Sequence, residues 1–150
     1  MDSTEETKKH IQRVRDLLRL VNFEMLSRAS KHDKSKLESP EKEAFDEFTE
    51  KLRKCNYGSD EYKQFLKDLK PALDNHYKLN SHHPEHYENG INGMNLFDII
   101  EMFFDWKAAG ERHETGNIYK SIEHNKDRFN ISKQLVDIFI NTAKFMGYKE

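Results

Sequence analysis

The chain carries eight histidines in 150 residues, and three stretches set imidazoles or carboxylates where they can act together. His10 precedes Val14 by four residues, so a helix places it at the edge of the apolar stripe to which Val14 belongs. His76 follows Leu73 by three and shares its inward face. Asp98, Glu101, Met102 and Asp105 make a second stripe at helical spacing, beside the apolar one of Leu96, Ile99, Ile100 and Phe103. Carboxylates turned toward an interior need a cation or several donors to offset their desolvation. A metal ion meets that need.

Other chemistries lack their residues. The single cysteine, Cys55, cannot form an internal disulfide or a zinc-thiolate site, and the spacing Phe45, Phe48, Leu52, Cys55 reads as one helix face with the thiol as a small buried hydrophobe. His82 and His86 are four apart, but Pro84 lies between them and the His-Glu-x-x-His order of helical zinc proteases is absent. No glycine-rich loop ends in Gly-Lys-Ser or Gly-Lys-Thr, so a nucleoside-triphosphate P-loop is not expected. His113 and His124 read as surface residues, and so does His86.

Net charge is −2 with basic and acidic residues interspersed, which argues against a surface for duplex DNA. Lys8, Lys9, Arg13, Arg15 and Arg19 read as the solvated face of a first helix. No apolar run approaches the roughly 20 residues a membrane span needs, and from the polar start, Met1 to Lys9, a secretory leader is not expected. The expectation is an intracellular, cytoplasmic protein without a membrane partner. Ten Phe, six Tyr and one Trp supply the large groups a folded core requires.

The elements that must position these groups are helical throughout, so the fold class is all-α. Ile11, Val14, Leu18, Val21 and Met25 trace one stripe of a helix over about 4–29. A loop holding Lys31 to Glu38 follows, and Ser39 with Pro40 signals the start of a second helix running to about Cys55 and stopping near Tyr57-Gly58. Ser59 caps a third helix with Tyr62, Phe65, Leu66, Leu69, Leu73 and Tyr77 inward, which Pro71 should kink or split. Residues 81–94 form a loop, from Ser81-His82-His83-Pro84-Glu85-His86 to Asn92-Gly93. Asn95 caps a fourth helix to about Ala109, a fifth spans about 117–128, and Ser132 caps the last, where Leu135, Phe139, Thr142, Ala143 and Met146 share a face and Gly147 ends it. Nothing separates domains, so 1–150 is expected to be a single domain of about six helices.

His32-Asp33-Lys34-Ser35-Lys36 resembles the adjacent His-Asp pair, with a lysine three residues beyond the Asp, of the HD superfamily of metal-dependent phosphohydrolases. His82-His83-Pro84-Glu85 is similar to the His-His-x-Glu segment of that superfamily's cyclic-dinucleotide branch. Together with Glu101-Met102-Phe103-Phe104-Asp105-Trp106, these segments look like those of small HD-like proteins from bacteria and phages. The resemblance covers about residues 8–110 and implies an HD-type helical bundle, with the last two helices as packing.

The resemblance further implies a metal set of His10, His32, Asp33 and Asp105, with Asp33 bridging to a second ion held by His76, His82 and His83. Imidazole and carboxylate together suit manganese, iron, cobalt, nickel or zinc, so one or two divalent transition metal ions are the expected cofactor. Two such ions can stabilise the oxygens of an in-line phosphoryl displacement. Lys36 would donate a proton to the leaving group or neutralise a phosphate oxygen, and Arg13 would contact phosphate. Glu101 would orient a ligand from one turn before Asp105, and Asp98 is open between ligand and surface acid. The implied activity is hydrolysis of a nucleotide or related small phosphate ester. A di-iron oxygenase on the same scaffold, or a metal-stabilised helical domain that binds without turnover, are the alternatives.

Overall fold

The computed structural model describes residues 2–54, 60–112 and 116–149. Cys55, Tyr57-Gly58, Ser59 and His113, together with the side chains of Leu52, Tyr62 and Leu66, lie outside the described residues. Among the described residues there are six α-helices and no strand. No described helix is long and apolar enough to cross a membrane. The chain forms two compact units, Met1–His32 and Asp33–Glu150.

The first unit is one helix, α1 (Thr4–Lys31), with Glu5 and Glu6 in its first turn and Arg28 and Lys31 in its last, the charge order that the helix dipole favours. Its sequence predicts a buried stripe, yet Ile11, Val14, Leu18 and Val21 are exposed. A lone helix has no second element within its own unit to bury a face against. His32 caps the C-terminus, its N–H donating to the Arg28 carbonyl.

The second unit begins with a turn of 3-10 helix, Lys34–Leu37, entered through Asp33 at φ 53°. That left-handed conformation is one Asp tolerates better than most side chains. α2 (Glu41–Lys54) packs on α3 (Asp60–Leu79). α3 is a single helix through Pro71, so of the expected kink or split the split does not occur. Proline there removes its own donor and crowds the carbonyl one turn earlier, a local cost set against the burial of Leu69, Ala72 and His76 on either side of it.

Two further 3-10 turns, Pro84–His86 and Gly90–Gly93, carry the chain from α3 to α4 (Leu96–Gly110). Asn95 caps α4 by accepting from the backbone of Phe97 and Asp98, while Asp98 accepts from the Asn95 N–H, a reciprocal capping box. α5 (Ile118–Arg128) and α6 (Lys133–Phe145) start at Asn117 and Ser132, each of which accepts a backbone N–H on its side chain.

The core lies among α4, α5 and α6, built from Met102, Phe103, Ile118, Ile122, Ile131, Phe139 and Ala143. Phe103 stacks on Phe139, and Trp106 lies against Phe129 and Phe139. The buried face of α4 is therefore centred on Met102 and Phe103, leaving Leu96 and Ile100 exposed. With that face fixed, Asp98, Glu101 and Asp105 run along α4 on the flank facing the α3–α4 connection.

Candidate metal centre

Four groups of the second unit converge. Asp33 stands at the entry to the first turn, His76 on the last stretch of α3, and His82 and His83 on the connection that follows. One ligand atom from each lies within 4.8 Å of the others. Asp33 Oδ1 is 3.4 Å from Nε2 of His76 and 3.4 Å from Nε2 of His82. His76 Nε2 is 2.9 Å from His83 Nε2. Asp105 reaches the rim, its Oδ2 4.0 Å from His82 Nε2.

Around this centre the neighbouring elements hold the ligands by their far sides. His76 Nδ1 is 2.9 Å from Glu41 Oε2, at the first residue of α2. His82 Nδ1 is 3.2 Å from Glu101 Oε1, on α4. Lys36 Nζ is 2.6 Å from Asp33 Oδ2 and lies over the Phe45 ring. The connection itself is pinned to α4 through Asp98, which is wholly buried and accepts from Ser81 Oγ at 2.7 Å, Tyr87 Oη at 2.6 Å and the Asn95 N–H at 3.0 Å. Asp98, open between ligand and surface acid in the sequence, is a clamp that fixes the residue next to His82.

The electrostatics follow from this packing. Burial alone would raise the Asp33 carboxyl, but His76, His82 and Lys36 together outweigh it and hold the group well below the usual carboxylate range. Burial pushes the His83 imidazole down to about 3, with His82 and His76 adding to the effect. Asp33 is therefore an anion and His83 a neutral imidazole at neutral pH, the forms that bind metal.

The spacing also fits a coordination shell. Adjacent donor atoms held about 2.0–2.1 Å from one ion lie roughly 2.8–3.4 Å from each other in octahedral or tetrahedral arrangement. The separations of 2.9, 3.4 and 3.4 Å fall in or beside that interval. Three imidazoles and one carboxylate suit a borderline transition metal.

The remaining sequence-marked residues are placed as follows. His10 and Arg13 are exposed on α1 of the first unit, and His32 is the half-buried cap at its end. His86 and His124 are exposed, His86 with its Nδ1 2.8 Å from the Tyr77 carbonyl. Two residues of the site carry no sequence signal. Glu41 reads as an ordinary first-turn acid favoured by the helix dipole, and Ser35 as a filler between two lysines. Only the fold brings them to His76.

The model of a family described as a family of unknown function (DUF5662) matches residues 1–145. No curated protein and no solved structure matches the chain.

Proposed function

The chain belongs to the DUF5662 family, whose description assigns no activity, and we propose a metal-dependent phosphohydrolase acting on a nucleotide or related small phosphate ester. The observation that carries this reading is the convergence of Asp33, His76, His82 and His83 within one coordination radius. These four would hold the ion, with Asp105 at the rim. The resemblance of His32-Asp33 and His82-His83-Pro84-Glu85 to the HD superfamily supplies the reaction class. A divalent metal bound there would supply Lewis acidity and a water acidified toward neutrality.

The chain's own groups then have definite tasks. Asp33 presents Oδ1 to the ion position while Lys36 holds Oδ2. Lys36, beside the anionic ligand, is the cation available to a substrate phosphate oxygen. Glu101 keeps His82 oriented through Nδ1. A cytoplasmic setting belongs to the same proposal, the single cysteine suiting a reducing compartment.

The test is elemental analysis of protein purified without chelator, followed by hydrolysis assays on nucleoside mono-, di- and triphosphates and cyclic dinucleotides with manganese, cobalt and iron, all products being separated. Bound metal is expected, with one class converted to its hydrolysis products: phosphate, pyrophosphate or triphosphate with the remaining nucleoside or nucleotide, or a linear dinucleotide. Loaded protein that turns over none of them overturns the hydrolase. Consumption of oxygen by a ferrous form, without phosphate release, replaces it with the oxygenase.

A further inference from the structure

Glu41 is wholly buried at the start of α2, where a carboxylate has no access to water. Burying that charge costs several kcal/mol unless its oxygens are matched by donors. They are matched in full: Oε1 accepts from Asn75 Nδ2 at 2.8 Å, and Oε2 accepts from Ser35 Oγ at 2.9 Å and faces His76 Nδ1 at 2.9 Å. An apolar side chain would fill the same space without the penalty, so the charge at this position has to do something for its neighbours.

Counting protons around His76 shows what. Ser35 Oγ and Asn80 Nδ2 also lie near His76 Nδ1, at 3.3 and 3.1 Å. Ser35 has one proton, and Glu41 Oε2 receives it. Asn80 has two on its amide nitrogen; one goes to Ser35 Oγ at 2.9 Å and one to the His76 carbonyl at 2.8 Å. Neither neighbour keeps a proton for Nδ1. A bare ring nitrogen 2.9 Å from a carboxylate oxygen would set two lone pairs against each other, so Nδ1 carries the hydrogen and donates it to Glu41.

We propose that Glu41 is the positioning residue of the centre, keeping a hydrogen of His76 on Nδ1 so that Nε2, facing Asp33 and His83, is the nitrogen that gives up any proton of its own to a metal ion. The proposal rests on the metal reading above for its purpose, but its structural content does not need a metal. Glu101 stands to His82 as Glu41 stands to His76, through Nδ1 at 3.2 Å. The two buried imidazoles are therefore each backed by a carboxylate from a different helix, α2 and α4, and both aim Nε2 at the same oxygen of Asp33. A carboxylate behind a ligand imidazole sets its tautomer, its rotation and its basicity.

The experiment has two arms. In the first, ring-nitrogen NMR shifts of the metal-free wild-type protein at pH 8 report the state of His76. Protonated Nδ1 is expected, with or without a proton on Nε2 beside Asp33, and a population dominated by bare Nδ1 with protonated Nε2 overturns the proposal. This arm needs no variant to fold and no metal to bind. In the second, cobalt and manganese binding are titrated into wild type, Glu41→Gln and Asn75→Ala. A carboxamide has one acceptor oxygen and cannot serve both Asn75 and His76, so Glu41→Gln should bind either ion about 10–100-fold more weakly. Asn75→Ala, which touches Glu41 on its other oxygen, should lose fold stability and keep its metal affinity within about threefold of wild type. Equal weakening in both variants, or none in Glu41→Gln, means that Glu41 is merely structural. Should wild type bind neither ion, the hydrolase reading fails, and the first arm still decides the hold of Glu41 on His76.

Discussion

Lys36 donates to Asp33 Oδ2 at 2.6 Å, the oxygen opposite the one that meets the imidazoles. The two sides of one carboxylate thus serve two partners, an ammonium and the ion position. This makes Lys36 a neighbour of the ligand rather than a free acid waiting in solvent, and it separates two roles that a lysine after a His-Asp pair can have.

Substitution of Lys36 by Met tests that separation. Removing a partly screened positive charge beside a cation position should leave cobalt affinity unchanged or tighten it up to about tenfold. Turnover of the phosphate ester should fall about 100-fold or more if the ammonium meets the substrate. Calorimetric titration and steady-state kinetics read the two effects separately. Loss of cobalt binding would instead make Lys36 a support for Asp33.

Asp33→Asn keeps the shape and the backbone tolerance of the side chain and removes its charge. Metal content should drop from one or two ions per chain to a small residue, with the other three ligands unable to compensate. In chelator, the variant should also be less stable at pH 7 by about 1–3 kcal/mol, because His76, His82 and Lys36 lose the anion they surround. The sign has a pH corollary. The lowered Asp33 carboxyl stabilises the fold above its unfolded value near 3.9 and ceases to do so as acid protonates it. Urea titrations at pH 7 check the difference.

His83 gives the opposite charge type and a window nearer neutrality. Its imidazole stays neutral in the fold down to about 3, whereas in the unfolded chain it takes up a proton near 6.5. Neutral His83 costs the metal-free fold nothing above that value. Below it the unfolded state gains a proton that the folded state refuses, so stability falls with pH by up to about 1.4 kcal/mol per unit until His83 itself protonates. His83→Gln should remove this contribution. The stability difference between wild type and variant, measured in chelator from pH 7 to 4, should therefore shift against wild type as pH falls. A constant difference would mean that His83 is solvated.

Asp98→Ala should be the most damaging of these changes to the fold. It strands three donors, Ser81 Oγ, Tyr87 Oη and the Asn95 N–H, around a wholly buried position. A loss of about 3–5 kcal/mol in urea unfolding is expected. Asp98→Asn, which can still accept from one side, should lose less. Glu85→Ala, which breaks only the exposed pair with Arg128, should change stability by about 1 kcal/mol or less.

The helical architecture was legible because its signals are local. Asn95 and Ser132 stand at helix starts as cap chemistry requires, and the period of α6 announces the face buried at Phe139 and Ala143, whereas on α4 the expected stripe is rotated, with Met102 joining Phe103 inside and Leu96 and Ile100 exposed. α1 has the same period, yet its stripe is exposed, since periodicity states which residues share a face and not what covers it. Pro71 illustrates a similar limit, its local cost being overridden by the packing of Leu69 and Ala72.

The site was legible in its imidazoles and in part of its carboxylates. Histidine is scarce enough for His76 and His82-His83 to stand out, and Asp33 was marked by its neighbour His32. Glu41 and Asp98 were not distinguishable from other acids, since a carboxylate in the first turn of a helix is favourable in water as well as in a protein interior. Their partners, Asn75 and Ser35 for one and Ser81 and Tyr87 for the other, come from other parts of the chain. Only tertiary structure can convert such an acid from decoration into a support.

The φ of 53° at Asp33 has a last consequence, for the variation the position can accept. Few side chains are comfortable there, with glycine, asparagine and aspartate foremost. Of those three, aspartate alone brings an anionic oxygen. Glutamate would supply the charge but neither the short reach nor the ease of the bend. Two demands that are each lenient, a tolerant backbone and a negative donor, overlap in a single letter of the amino-acid alphabet.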